Sequence, residues 1–398
     1  MRSLISLWSL PSSLTKRSLR ARRYDKKIPF AKHRAGIGLV DLLVGLAISL
    51  LAMLVILQIA VLFEARRKTT TGGADAQMRG IHVIATIERD LRLAGYGLGP
   101  SEALGCAVKR HFVTPQTDLI LQPVRIANGI NGAPDSLQIL ASAKSGGGVA
   151  AQLSSDHAND ADQMMVNSTL DILTNDILII QEAGKPCTMV QATAVPTGQF
   201  RVSHEGVRSA WNPDAPATLF PLAGYRIGAA VINLGAVSDR GYAVDTNGQL
   251  QLSRYLSVSN TTATTPLATN IVNLQAQYGF DTRAGLQTSS QVTRWSATMI
   301  DADGNGVAGD NGDLRRLLAV RVAVVARSSQ AEPAIARCTT TTSQPTWQAG
   351  DVVDGQLVDT PIAIDRNPDG SANANWRCFS YRVFDTVVPL RNLLWSPA

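Results

Sequence analysis

The sequence predicts an α+β protein in which one long N-terminal helix, membrane-crossing and then amphipathic, packs on a large antiparallel β-sheet domain. Three observations predict it. Residues 37–63 form an apolar run of 27 residues whose polar side chains are Asp41, Ser49 and Gln58. The stretch that follows keeps apolar residues at steps of three and four, the helical period. From about residue 100 the period becomes two, and short β-rich runs alternate with Gly, Asn, Asp and Pro.

The chain begins with a basic leader. Of the 398 residues, with formal net charge +6, residues 1–36 hold ten Lys or Arg against one acid, Asp25. That net of +9 leaves −3 for the rest of the chain. A weakly acidic body lacks the basic face that phosphate-backbone binding requires, so nucleic acid is not an expected partner. The basic residues instead set topology. The positive-inside rule places the leader in the cytoplasm and the body on the far side of a membrane, behind a single pass.

The apolar run of 27 residues exceeds what a hydrocarbon core of about 30 Å demands at 1.5 Å per residue. A cleaved secretory signal has a shorter apolar region and a small-residue cleavage site after it. Here "EARRK" follows at residues 64–68, so the segment is expected to stay as an anchor. Asp41 is the exception within it. A carboxylate in an apolar helix costs a few kcal/mol unless it finds a partner, and is by default a functional residue. If the chain were cut between Gly36 and Ile37, the new α-amino group of Ile37 would be that partner on a neighbouring helix.

The order Gly36, Ile37, Gly38, Leu39, Val40, Asp41, followed by a long apolar helix, resembles the type IV pilin-like proteins. Three further segments resemble the PilW family of minor pilins: "IERDLRLAGYG" (87–97), "LLAVRVAVVARS" (317–328) and "YRVFDTVVPLRN" (381–392). The resemblance implies a pilin-like fold, cleavage after Gly36 by a prepilin peptidase, methylation of Ile37 and pairing of subunits through Asp41. It also implies that the major pilin and other minor pilins are partners, in an inner membrane and then in a filament or its tip. The chain departs from the family pattern twice, with Ile for the usual Phe and Asp for the usual Glu. The implied organisation is a leader (1–36), a transmembrane and filament-core helix (37–64), its amphipathic continuation (65–97) and a periplasmic β-rich domain (98–398).

In the continuation, Ile81, Ile84, Ile87, Leu91 and Ala94 predict one buried face. Asp75 with Arg79 and Glu88 with Arg92 predict i,i+4 ion pairs in the favourable order. "TTTGGA" (69–74) predicts a weakened or bent rod, and Gly95, Gly97, Gly99 and Pro100 predict its end. In the body, Asn247-Gly248 between two β-rich runs predicts a hairpin. Arg321 is expected on the polar face of a strand at 317–328, and residues 141–170 are expected to be a surface loop.

Cys106, Cys187, Cys338 and Cys378 contain no CxxC pair, which leaves zinc and redox motifs without support. An even number in an oxidising compartment predicts disulfides, with three pairings open to the residues themselves. Similarity to the C-terminal loop closed in many pilins implies Cys338 with Cys378, leaving Cys106 with Cys187.

"DADGNGVAGDNGD" (301–313) is the candidate metal site. Asp301, Asp303 and Asn305 occupy positions 1, 3 and 5 of a calcium loop, Gly306 the turn, and Val307 the backbone-carbonyl position. Gly312 stands where a bidentate Glu belongs, so Asp310 or Asp313 would have to close the shell. The competing reading is a solvated turn of Asp, Asn and Gly. No GxSxG, HExxH or phosphate-binding loop is present, and the five histidines (33, 82, 111, 157 and 204) lack metal-ligand spacing. No enzymatic activity is expected. The sequence reads as a minor pilin of an initiating or tip complex, serving assembly, adhesion or twitching motility. The alternatives are a J-type pseudopilin of type II secretion and a membrane-anchored envelope binding module, a calcium-dependent adhesin included.

Overall fold

The structure is a computed structural model that describes residues 38–99, 101–144, 150–285, 291–331, 338–353 and 356–394. The leader and the Gly36–Ile37 bond lie outside these residues. The chain divides into two compact units, Met1–Ala60 and Val61–Ala398.

Helix α1 (Leu39–Leu91) is a single element of 53 residues. Over Leu39–Glu64 its mean hydropathy reaches 2.8 and none of it is buried. A helix apolar on every side and covered by nothing is long and apolar enough to cross a membrane. Its few hydroxyls are satisfied internally, as Ser49 Oγ donates to the Gly45 carbonyl at 2.7 Å.

The expected bend at 69–74 does not form. Thr71 Oγ1 donates to the Arg67 carbonyl at 2.8 Å, and Gly72 is buried where a Cβ would lie 3.4 Å from Ser328 Cβ. Neither Gly72 nor Gly73 breaks the rod, and Gly72 admits a close neighbour. Gly80 does the same for the Phe384 ring, which any side chain at residue 80 would strike. The buried face is correspondingly shifted from the one expected: Ala76, Val83, Ile87, Leu91 and Ala94 are covered, whereas Ile81 is half exposed. Glu88 and Arg92 pair at 2.6 Å. Among the described residues no ion pair joins Asp75 to Arg79, whose Nη1 is buried without a partner. The helix ends in turns where Gly95 adopts φ +78°, a left-handed conformation that glycine takes without steric cost.

The strands of the three larger sheets begin with β1 (Ala107–Lys109), β2 (Leu119–Ile120), β3 (Val124–Ala127), β4 (Ser136–Ala141) and β5 (Ala151–Gln152). Next come β6 (Ile177–Gln181), β7 (Cys187–Gln191), β8 (Ala230–Gly235), β9 (Ser238–Val244) and β10 (Gln249–Leu256). The last are β11 (Thr261–Thr269), β12 (Ile271–Phe280), β13 (Arg294–Ser296), β14 (Leu317–Arg327) and β15 (Tyr381–Pro389). The sheets run β2-β1-β7-β6-β8-β5, β11-β10-β9-β4-β3 and β13-β12-β14-β15. Among the described residues every ladder is antiparallel except β1 with β7, where Val108 lies opposite Cys187. The α+β class holds, with the predicted hairpin in place: Val244 pairs with Leu250, and Asp245 Oδ1 accepts from the N–H groups of Asn247 and Gln249.

Strand alternation explains how three cores form. In β6, Ile177 and Ile179 enter the main core beneath α1, while Leu178 and Ile180 enter a second core on the other face. The second core draws in Leu153, Met164 and Val166, so residues 141–170 are not merely a surface loop. Two short strands, Gln163–Met165 and Arg201–Ser203, pair there. In β14, Val320, Val322 and Val324 face the main core, and Ala323 and Val325 face a third core roofed by the hairpin of Thr346–Val353 and Gln356–Pro361. Arg321 shares that outer face. It is buried rather than solvated, because the roof covers what the sequence alone reads as a polar side.

Candidate functional site

Asp41 lies in the first turn of α1, where its charge opposes the positive end of the helix dipole. Its carboxylate folds back over the chain: a Cβ at Gly38 would stand 3.4 Å from Asp41 Oδ2. Glycine at residue 38 therefore leaves room beside the carboxylate. Gly36 and Ile37, the expected cleavage and methylation residues, lie outside the described residues.

The acidic loop folds in the body around its own carboxylates. Asp301 accepts from the backbone N–H groups of Gly304, Asn305 and Gly306. These bonds, Gly306 first, hold the Asp301 carboxyl below the ordinary range. Asp313, fully buried, accepts from the N–H groups of Ala302, Asp303 and Gly309. Carboxylate oxygens of Asp301, Asp303 and Asp313 lie within 4.8 Å of one another, a spacing suited to a hard, oxygen-seeking cation such as calcium. Asp310 has another task. It caps the short helix α2 (Asn311–Arg315) by accepting from the Asp313 N–H at 3.1 Å, and it takes the Asn305 amide at 2.6 Å. Asn305 Oδ1 accepts from the Val307 N–H at 2.8 Å. Of the six sequence candidates, the structure brings three acids together and uses Asn305, Val307 and Asp310 to shape the loop. At Gly312, the position a Glu would fill, a Cβ would meet the Asp303 carboxylate, which would have to move aside.

Both disulfides are formed, Cys106–Cys187 with Cα atoms 6.0 Å apart and Cys338–Cys378 at 4.6 Å. The first ties the lead-in to β1 to the start of β7. The second closes the segment that leads into β15.

Sequence spacing missed a pair of histidines. His157 and His204, 47 residues apart, meet in the second core with their Nε2 atoms 3.0 Å apart. The Phe220 ring packs 4.7 Å from one and 5.2 Å from the other. Burial pushes both imidazoles down, His204 to about 3. Each is placed by backbone: His157 bridges Tyr225, and the His204 N–H donates to the Asp162 carbonyl. Nothing in the residue order signals this, since it depends on two distant segments crossing.

Residues 240–392, from β9 through the C-terminal strand and including the acidic loop and the Cys338–Cys378 bridge, match the family model described as Type IV Pilus-assembly protein W. The match supports the PilW family. It covers less than half of the chain and does not reach α1. No curated protein and no solved structure matches the chain significantly. The match supports a role in type IV pilus assembly, and the apolar helix fits a protein of the cell envelope.

Proposed function

We propose that the protein is a minor pilin of a type IV pilus, cut after Gly36 by a prepilin peptidase, methylated on Ile37 and built into an initiating or tip complex. One coincidence carries the reading. A Gly36–Ile37…Asp41 motif opening a membrane-length helix stands at one end of a chain whose other end matches the PilW family model. Asp41 would neutralise the α-amino group of Ile37 on an adjoining subunit, which gives the carboxylate the partner that hydrocarbon demands. Major and minor pilins are then the partners, and the body lies in the periplasm before assembly. A body of some 300 residues would crowd a repeating shaft and is better accommodated at a tip. No catalytic step is assigned, and a calcium-dependent contact through the 301–313 loop is compatible with this role.

A J-type pseudopilin would carry the same leader and a β body, and the pilus-assembly family match favours the pilus over it. A plain anchored binding module gives no reason for a cut at Gly36. Intact-mass measurement of the membrane-extracted protein, with and without an active prepilin peptidase, tests the reading. The expected product begins at Ile37 and appears only with the peptidase. An uncut chain that keeps its basic leader in both strains sinks it.

A further inference from the structure

Strand β11 is the outermost strand of its sheet, and residues 261–266 are exposed. Sheet edges are normally blunted by charge, proline, a bulge or brevity, because their free N–H and C=O groups invite another strand. This edge is nine residues long, and no Lys, Arg, Asp or Glu occurs anywhere from Tyr255 to Phe280. Its defences are confined to one end, where Pro266 and a register shift opposite Leu250 and Gln251 interrupt the ladder. Residues 261–265 are undefended.

Beside that end lies a groove of about 470 Å³. Met78, Arg79 and His82 of α1 form one wall and residues 266–269 the other. Met78 is two-thirds exposed at the mouth. Arg79 is the anomaly: the ion pair expected with Asp75 is not made, and its Nη1 is a buried donor with no acceptor. With no acid paired to it among the described residues, the part of the Arg79 guanidinium that lines the groove is left to take an incoming carboxylate. A helix wall beside a free strand edge is the geometry in which an extended peptide adds by backbone pairing and is read by a pocket.

We propose that this groove receives the C-terminal segment of another protein, added as a further strand parallel to β11, with its terminal carboxylate on Arg79. The direction follows from the two ends. Pairing can run along residues 261–265 and must stop at Pro266, which has no N–H. Arg79 stands at that stopping end, so a chain that terminates there places its carboxylate on the guanidinium, where two N–H groups can bind it in parallel. The segment itself should be uncharged and β-prone, to match an edge of Thr and Ala. The proposal needs only the groove and stands whether or not the chain is processed as a pilin.

The test uses the full chain in lipid nanodiscs and a library of random heptapeptides displayed with free C-termini. We expect enrichment of uncharged, β-branched sequences. Amidating the terminus of an enriched peptide should weaken binding tenfold or more, and Arg79→Gln should do the same while abolishing the difference between acid and amide. Arg79→Lys should restore part of that difference. Bound peptide should also slow amide exchange at residues 261–265 by tenfold or more. Absence of enrichment, equal binding to Arg79→Gln, or unchanged exchange at these amides each overturns the proposal. A Met78→Cys chain that crosslinks to a second copy of itself through this groove also overturns it, since the occupant would then be the chain's own helix.

Discussion

The main core and the second core both bury ionisable side chains, and they treat them differently. In the main core Asp90 of α1 is buried against Arg240 Nη1 at 2.7 Å and the Tyr242 hydroxyl at 2.5 Å, so its charge is met by a cation and a donor. In the second core, His157 and His204 meet each other at 3.0 Å, and His157 Nδ1 is buried without a partner. The first arrangement ties a helix to a sheet through a guanidinium and a hydroxyl that both donate to one carboxylate. The second favours neutral rings, because burial penalises charge on either imidazole and a second proton between the two nitrogens would set two N–H donors against each other. A buried polar group is therefore a fastener or a weak point according to what it faces, and both kinds occur within one body.

Breaking the fastener gives the largest effect. Asp90→Ala leaves Arg240 and Tyr242 without their acceptor beneath α1 and should cost about 3 kcal/mol, at the lower end for a broken buried pair because Arg240 keeps access to water. Urea denaturation of the full chain in detergent measures it, with a lowered midpoint and an unchanged slope as the expected result. An unshifted midpoint would mean that apolar contacts alone seat the helix.

Acid probes the weak point, and the sign is set by the direction of the shift. The His204 pKa falls from an ordinary 6.5 to about 3 on folding, so the unfolded chain binds the extra proton between those values. Stability contributed by the neutral pair is complete above about pH 6.5 and is lost as the pH falls toward 3, about 3 kcal/mol of it by pH 4.5. Asp135 opposes this in the main core. Burial raises its carboxyl to about 6, so its contribution is full below about pH 4 and is lost as the pH rises through 6. Hydrogen exchange at pH 4.5 should therefore show faster opening at residues 151–231 than at 271–326. His204→Phe should abolish that contrast if the pair causes it.

A smaller effect concerns the carboxylates of the 301–313 loop, which now rely on backbone donors. A calcium site of the weak extracellular class, with a dissociation constant of about 10⁻⁴ to 10⁻³ M, would stabilise the body by roughly 1.4–2.7 kcal/mol at about 10 mM calcium. Calorimetry with calcium and with magnesium checks this, and equal melting with both or neither would reduce the loop to a turn. Least of all, Arg92→Ala removes an exposed pair with Glu88 and should cost about 0.3–0.5 kcal/mol in the same urea experiment.

How much of this was legible in the sequence depends on the range of the interactions involved. The long helix, the change to strand period near residue 100 and the 245–248 hairpin are local, and the residue pattern predicts them. Gly72 misleads by the same logic, because glycine reads as a helix breaker unless the Ser328 that packs beside it is known. Arg321 misleads because alternation gives two faces to a strand without saying that a hairpin will cover one. The three acids of the 301–313 loop are visible as a motif, but the choice of Asp313 over Asp310 depends on which of them caps α2. The histidine pair and the Arg79 groove have no local signal. They arise where distant segments cross.

The burial of β14 between β12 and β15 has a consequence during synthesis. Its partner β15 (Tyr381–Pro389) lies well downstream of β14 (Leu317–Arg327), so that side of β14 stays open until the intervening segment and β15 have been made. Until then "LLAVRVAVVA" would be exposed, a window of the kind that nucleates intermolecular β-aggregation. Arg321 is the one charge inside it. The guanidinium that ends up stacked on Trp295 and Trp347, 4.2 Å and 5.4 Å from the ring centres, thus has an earlier duty as a gatekeeper in the unfinished chain.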